Sequence, residues 1–333
     1  MAKEDIVRAA LNTAVEASDK VVGTTSPNPP VGAVILSPTG DILGVGATQP
    51  PGGPHAEVMA LAEAGDRAQG GIAVVTLEPC NHYGRTGPCS HALLAAGISE
   101  LYYVHADPTS EAAGGAAWLT QQGMKVQQLP GEVPTLRAWL LAQELRRPHV
   151  TLKFAQTLDG FSAACDGTSQ WITGELARHH VHQDRCRRDA IVVGTGTARA
   201  DNPSLTARTP DGGLYPHQPR RVVIGHRRLS AQDCPHLHRL GFEQYPDIPT
   251  ALSQLWDTGV RDLLVEGGPT LATAFFRLGY VDAIQAYIAP KVLGDGLSTI
   301  SEPLSSTLSG AHCFHRSGYQ LLGEDILVEL RKK

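Results

Sequence analysis

Pro54-His55-Ala56-Glu57-Val58, followed by Leu77-Glu78-Pro79-Cys80 and then by Cys89, is the stretch around which the rest of this chain arranges itself. Residues 56–64 read as a helix, 72–77 as an apolar strand of the fully buried kind, and 90–96 as a second helix. The chemically active residues thus fall at turns, where an α/β fold exposes the ends of its elements. Working outward, 31–36 and 42–45 form a hairpin around Pro38-Thr39-Gly40-Asp41. Residues 101–105 supply another strand and 116–122 another helix, while Val7, Leu11, Ala14 and Val15 recur at the spacing of an amphipathic first helix. The alternation predicts a three-layer α/β/α domain. A last helical run, 135–147, stops before Pro148 and sets the boundary between domains 1–148 and 149–333.

His55, Cys80 and Cys89 offer zinc one imidazole and two thiolates, leaving a fourth tetrahedral position for water, as in a catalytic site. A water held there loses its proton near neutral pH and becomes a nucleophile. Glu57, two residues beyond His55, can reach that position without being a ligand, take the proton and deliver it to a ring nitrogen and a departing amine. Cys89 precedes a helix, whose first donors and dipole favour a thiolate there. Singly these features are weak: His-x-Glu is common by chance, and a lone buried cysteine is usually a small hydrophobe. Combined, they match the H-x-E, P-C, C signature of zinc deaminases. The spacing is C-x8-C rather than C-x2-C, so residues 81–88 form an inserted loop. A structural zinc site is the alternative, but it calls for a fourth protein ligand.

Composition narrows the function classes. The 333 residues suffice for two domains, with 42% hydrophobic and 18% charged residues and a net charge of −5. That charge favours neither nucleic acid nor an anionic membrane, though single basic residues can still read a phosphate. No apolar run is long enough to span a bilayer, and the N-terminus lacks the apolar core of a signal peptide. Six scattered cysteines then predict a reduced, cytoplasmic protein. Cys165, Cys186, Cys234 and Cys313 lack metal spacing and read as structural.

From His149 a second α/β series begins, with strands at 150–154, 190–193, 221–224, 263–266, 283–288 and 326–330 and helices at 175–187 and 269–278. Residues 226–249 show no period and read as a peripheral loop. Gly194-Thr195-Gly196 starts like a dinucleotide fingerprint, but Arg199 stands where its third glycine belongs. Glu266-Gly267-Gly268-Pro269 joins a strand to a helix, by a turn that either lets backbone N–H groups approach a phosphate or is an ordinary tight connection.

Ser26-Pro27-Asn28-Pro29-Pro30-Val31-Gly32, Pro54-His55-Ala56-Glu57-Val58 and the run from Leu77 through His82, Arg85 and Thr86 to Cys89 resemble the deaminase half of the bifunctional riboflavin-biosynthesis deaminase/reductase family. The resemblance implies a cytidine-deaminase-like fold, with Asn28 on the pyrimidine ring and His82, Arg85 and Thr86 on ring and ribose phosphate. Asn28 can pair with a heterocycle edge, though between prolines it also reads as a turn residue. Ser26, Thr48 and Thr109 depart from family positions on the substrate side but leave the reaction class intact.

The runs 151–160, 169–173, 201–208 and 265–270 are similar to the family's reductase half, which implies a dihydrofolate-reductase-like fold that uses NADPH. By that resemblance Ala155, Trp171, Thr197, Asp201 and Gly268-Pro269-Thr270-Leu271-Ala272-Thr273-Ala274 contact the cofactor, while Lys153, Ser169, Arg185, Leu205, Arg208 and Glu266 face the substrate. Arg185 and Arg208 read as phosphate forks, or singly as surface arginines. Lys153, on a strand, needs a partner, either Asp201 or Glu266. Trp171 either stacks on nicotinamide or fills core, and Asp159-Gly160 reads as a turn. The expected partner is one small phosphorylated pyrimidine, with no nucleic acid or membrane, acted on by a homo-oligomer (dimer or tetramer). A tRNA-type base editor is disfavoured by the lack of a basic stripe, and an inactive binding protein by the complete zinc constellation.

Overall fold

The computed structural model describes residues 2–83 and 87–333 and divides into two compact units, 1–146 and 147–333. The first unit runs α1 (Lys3–Asp19), β1 (Gly32–Leu36), β2 (Ile42–Ala47), α2 (Ala56–Ala64), β3 (Ile72–Leu77), α3 (Cys89–Ala95), β4 (Glu100–His105), α4 (Gly115–Gln121), β5 (Lys125–Gln128) and α5 (Arg137–Leu145). Its five strands lie in the order β2-β1-β3-β4-β5, with β1 antiparallel to both neighbours and β3, β4 and β5 parallel. Alternate residues of β1 explain the layers: Val34 and Leu36 pack on Val7, Ala10 and Ala14 of α1, whereas Ala33 and Ile35 pack on Ala56, Ala60 and Ala64 of α2. With both faces covered, β1 and β3 are apolar throughout. Because β1 is antiparallel to β3, the chain entering β1 and the chain leaving β3 meet at one edge. There the N–H of Gly32 donates to Thr76 Oγ1 at 3.1 Å.

The second unit holds β6 (His149–Thr157), β7 (Phe161–Ala163), α6 (Glu175–Arg185), β8 (Ala190–Gly194), α7 (Thr195–Asp201), β9 (Arg220–Ile224), α8 (Pro235–Leu240), β10 (Glu243–Tyr245), α9 (Ile248–Asp257), β11 (Asp262–Val265), α10 (Pro269–Arg277), β12 (Ala283–Ala289), β13 (Leu297–Ser298), β14 (Phe314–Leu322) and β15 (Asp325–Lys332). Eight strands form one sheet in the order β10-β9-β8-β11-β6-β12-β15-β14, the first six mutually parallel and the last two antiparallel. The side chains of α9 and α10, among them Leu252, Leu255 and Phe275, cover one face together with Val150, Val192 and Val222. Ile191, Val193, Val223 and Leu264 face Leu237 and Ala198 on the other, where α6 lies over Tyr287 and Leu327.

Several elements differ from the sequence expectation or were not read from it. Residues 226–249 are not a peripheral loop but contain α8, the edge strand β10 in register with β9, and the first residues of α9. Gly194-Thr195-Gly196 does not open a glycine fingerprint; it leads straight into the short helix α7, whose regular backbone needs no third glycine. The nine-residue strand β14 was missed because its exposed side chains carry no alternation.

Candidate active sites

His55 is the N-cap of α2 in extended conformation, Glu57 lies in the first turn of that helix, Cys80 follows β3, and Cys89 is the first residue of α3. These element ends bring His55 Nδ1 to 3.3 Å from Cys89 Sγ and 3.6 Å from Cys80 Sγ, with all three ligand atoms within 4.8 Å of one another. Bond lengths to zinc of about 2.0–2.3 Å place tetrahedral ligands roughly 3.5 Å apart, so the donor set fits this ion. Glu57 is only 4% exposed beside them. Burial, reinforced by the negative charge of Cys80, raises its carboxyl to about 7, the range of a proton carrier at neutral pH.

The N–H of Cys89 donates to Cys80 Sγ at 3.4 Å, so the donor at the helix start serves Cys80 rather than Cys89. Hydrogen bonds from the Cys89 side chain and from His55 pull the Cys80 thiol down to about 4, while bonding to Cys80 and burial push Cys89 up.

Sequence reasoning missed the brace behind these ligands. Buried Glu78 accepts N–H groups from Asp107 at 3.2 Å, Gly114 at 3.2 Å and Ala116 at 3.0 Å, latching the loop before α4 against the Cys80 turn. Asn81 joins the same turn to α3, its Oδ1 accepting from Ser90 Oγ at 2.8 Å. A carboxylate directly before Pro-Cys, just past a buried strand, was the available signal. Asn28 sits half-buried at the same sheet edge, its N–H on Thr25 O at 2.9 Å and its carbonyl accepting from Thr25 Oγ1 at 3.0 Å. His82 Nδ1 is buried with no hydrogen-bond partner among the described residues. Arg85 and Thr86 lie outside the described residues.

In the second unit Lys153 on β6, Arg185 at the end of α6 and Glu266 just past β11 converge. Arg185 grips Glu266 bidentately at 2.7 and 2.8 Å, and Lys153 Nζ lies 3.8 Å from Glu266. The partner of Lys153 is thus Glu266 and not Asp201, which stands exposed at the end of α7. Burial favours a protonated Glu266, but the Arg185 charge overrides it and holds the carboxyl at about 2. Burial lowers Lys153, an effect the Glu266 charge opposes. Arg185 is not an open phosphate fork: its Nε and Nη2 are on Glu266, and its Nη1 donates to Thr206 O at 3.0 Å. Arg208 is the exposed arginine, with only its Nε engaged, on Thr206 Oγ1 at 3.0 Å. Leu205 packs its side chain into the core, leaving only backbone for a ligand. His182, absent from the sequence list, reaches Thr206 O at 3.0 Å, and burial with the Arg185 charge lowers it to about 4.

Thr197 Oγ1 accepts the Gly268 N–H at 3.0 Å, tying the start of α7 to the start of α10. Pro269 opens α10, and the N–H groups of Thr270 and Leu271 in its first turn have no intrahelical acceptor. Ala272 and Thr273 turn their side chains into the core, and with Ala274 they lie past that turn, so they offer a ligand little. Trp171 is 63% exposed rather than core, held by Arg178 4.5 Å over its ring and by Lys291 Nζ on its carbonyl at 2.7 Å. Ser169 is exposed on the same loop, and Ala155 lies on β6.

Both units match known protein families. Residues 4–105 match the family described as the cytidine and deoxycytidylate deaminase zinc-binding region, and residues 148–327 match the RibD C-terminal domain. The riboflavin biosynthesis protein RibD of Corynebacterium ammoniagenes is 58% identical over 311 residues, covering 92% of each chain. That of Escherichia coli is 36% identical, over 92% of this chain and 94% of its own. Among solved structures, Acinetobacter baumannii RibD superposes with a TM-score of 0.88 at 31% identity over 99% of both chains. A Thermotoga maritima diaminohydroxyphosphoribosylaminopyrimidine deaminase/5-amino-6-(5-phosphoribosylamino)uracil reductase gives 0.85 at 30% identity, also over 99% of both.

Proposed function

The chain belongs to the RibD family, a zinc-binding deaminase and a reductase of riboflavin biosynthesis in one polypeptide, and we propose that it acts on the phosphorylated pyrimidine named for its Thermotoga relative, deamination first. On this reading residues 1–148 hydrolyse the 2-amino group of 2,5-diamino-6-ribosylamino-4(3H)-pyrimidinone 5′-phosphate. Residues 149–333 then reduce the ribosyl group to give 5-amino-6-ribitylaminouracil 5′-phosphate. The observation that carries it is the convergence of His55, Cys80 and Cys89 beside buried Glu57.

His55, Cys80 and Cys89 hold zinc, which when bound supplies a water acidic enough to attack near neutral pH. Glu57, poised near 7 by burial, would carry one proton of the attacking water to the ring nitrogen and then the second, from the added hydroxyl, to the departing amine, which leaves as ammonia. Asn28 and His82 orient the ring, and Arg85 and Thr86 receive the phosphate arm. Glu78 keeps the ligand turn in place.

The cofactor of the second unit is a nicotinamide dinucleotide, which supplies the hydride for C1′ of the sugar; we assign it as NADPH. The first-turn N–H groups of α10 and the Thr197 hydroxyl, beside Gly268, would hold its phosphates, and Trp171 and Ala155 would contact the nicotinamide. Lys153 and Glu266 face the opening sugar as a cation and an anion, Arg185 fixing the carboxylate. Arg208 and Ser169 take the substrate phosphate. The six cysteines are all free thiols, as suits a cytoplasmic enzyme, and we expect a homo-oligomer. Among the described residues no helix is long and apolar enough to cross a membrane.

The test is to give zinc-loaded protein the diaminopyrimidinone substrate and follow ammonia and NADPH absorbance. Ammonia released without NADPH, followed by NADPH oxidation once it is added, is the expected sequence. A protein shown to hold zinc that releases no ammonia overturns the substrate assignment.

A further inference from the structure

Asn28 lies on the connection between α1 and β1, residues 20–31, which has no helix or strand of its own. Local bonds give its turn a shape. The Asn28 N–H donates to Thr25 O at 2.9 Å, and the buried Thr25 hydroxyl donates to Asn28 O at 3.0 Å. Downstream, the Val31 N–H donates to Thr48 Oγ1 at 3.1 Å and fixes the chain where it enters β1. These bonds close the turn on itself and secure the side that follows it. They do not hold the side before Asn28, where Pro27 is exposed.

A residue 112 positions away makes that attachment. The indole N–H of Trp139 on α5 donates to the Pro27 carbonyl at 2.9 Å. Trp139 is 6% exposed and shares a core cluster with Val31, Leu77 and Leu136, so packing fixes its ring and thereby aims its N–H. A second tie lies just before α5, where Thr135 Oγ1 and the buried Ser18 Oγ, in the last turn of α1, stand 2.7 Å apart. The segment 135–139 therefore holds the connection at its start, through Ser18, and again immediately before Asn28, through Pro27. The zinc constellation by itself does not call for this segment: the match to the zinc-binding region ends at residue 105, and α5 begins only at Arg137.

We infer that Trp139 is a positioning residue of the deaminase site, holding the Pro27-Asn28 turn where Asn28 can meet the pyrimidine edge. The helix α5 is then a working part of the first unit as well as its last element. The inference rests on the reading of Asn28 as a ring contact. Because Pro27 is exposed, its carbonyl can turn to water once the indole donor is gone, so removing the N–H frees the turn without stranding a buried group. The effect falls on substrate binding. His55, Glu57, Cys80 and Cys89 keep their places, since α2, the end of β3 and the start of α3 carry them.

The experiment is steady-state ammonia release by the full-length, zinc-loaded protein acting on the diaminopyrimidinone phosphate, for wild type, Trp139→Phe, Asn28→Ala and the double variant. Phenylalanine keeps an aromatic ring in the core and removes only the donor. Trp139→Phe should raise KM roughly threefold to tenfold, the ordinary net effect of one hydrogen bond, with kcat unchanged and one zinc still held per chain. Asn28→Ala should raise KM at least as much, and adding Trp139→Phe to it should change little further, because both act through one contact. A tryptophan that merely fills the core would instead lower zinc content and kcat together and leave KM as it was, which overturns the inference. An unchanged KM in Trp139→Phe beside a raised one in Asn28→Ala also overturns it, and leaves the role of Asn28 standing. A wild-type KM in Asn28→Ala overturns that role and the inference with it.

Discussion

Glu266 carries the electrostatics of the second site, because two buried cations, Arg185 and Lys153, depend on one carboxylate. Removing its charge strands both. Glu266→Gln should destabilise the second unit by about 3–5 kcal/mol, the usual cost of breaking a buried pair from one side, measured by urea unfolding. The same residue sets an acid dependence. Its folded pKa of about 2 lies below the ordinary 4.5, so the unfolded chain takes up the proton first. The stabilisation is complete above about pH 4.5 and is lost as pH falls toward about 2. A pH series of unfolding midpoints should show that decline in wild type and a shallower one in the variant; equal slopes would refute the role. The convergence of His55, Cys80 and Cys89 was legible in the sequence because their residue types and short spacings constrain each other. The fate of Arg185 was not, since its partner lies 81 residues away and only the fold shows that its fork is already taken.

At the scale of elements, β2 decides where the candidate zinc ligand His55 stands. Gly44 and Gly46 face α2 so closely that a Cβ on Gly46 would overlap the carbonyl oxygen of Ala56, and one on Gly44 that of Ala60. The helix whose first turn holds His55 and Glu57 therefore rests on bare backbone. Gly46→Ala should push that turn outward, cost about 1–3 kcal/mol by overpacking and weaken zinc. Competition with a chromogenic chelator measures the second effect, and unchanged zinc affinity would contradict this account of the packing. Helices and strands with a buried stripe were readable to within a residue or two, as for 56–64 and 72–77. Edge elements were not. Of β10 only Tyr245 is buried, β5 has one apolar residue in four, and β14 is exposed along most of its length, so none carries a period.

At the scale of the molecule, two units each have their own core, and each builds its site at strand and helix ends. This is why the zinc constellation could be read from one short stretch, whereas the second site draws on β6, α6, β11 and α10, scattered over some 120 residues of chain. On the proposed reading the chemistry divides accordingly, with Glu57 as proton carrier in the first unit and the dinucleotide site in the second. Glu57→Gln, which removes the acid but no ligand, tests that division most directly. The variant should still hold one zinc per chain and release ammonia at least about a hundredfold more slowly, yet oxidise NADPH at the wild-type rate when given the deaminated intermediate. Ammonia release at the wild-type rate, or loss of NADPH oxidation along with deamination, would contradict it.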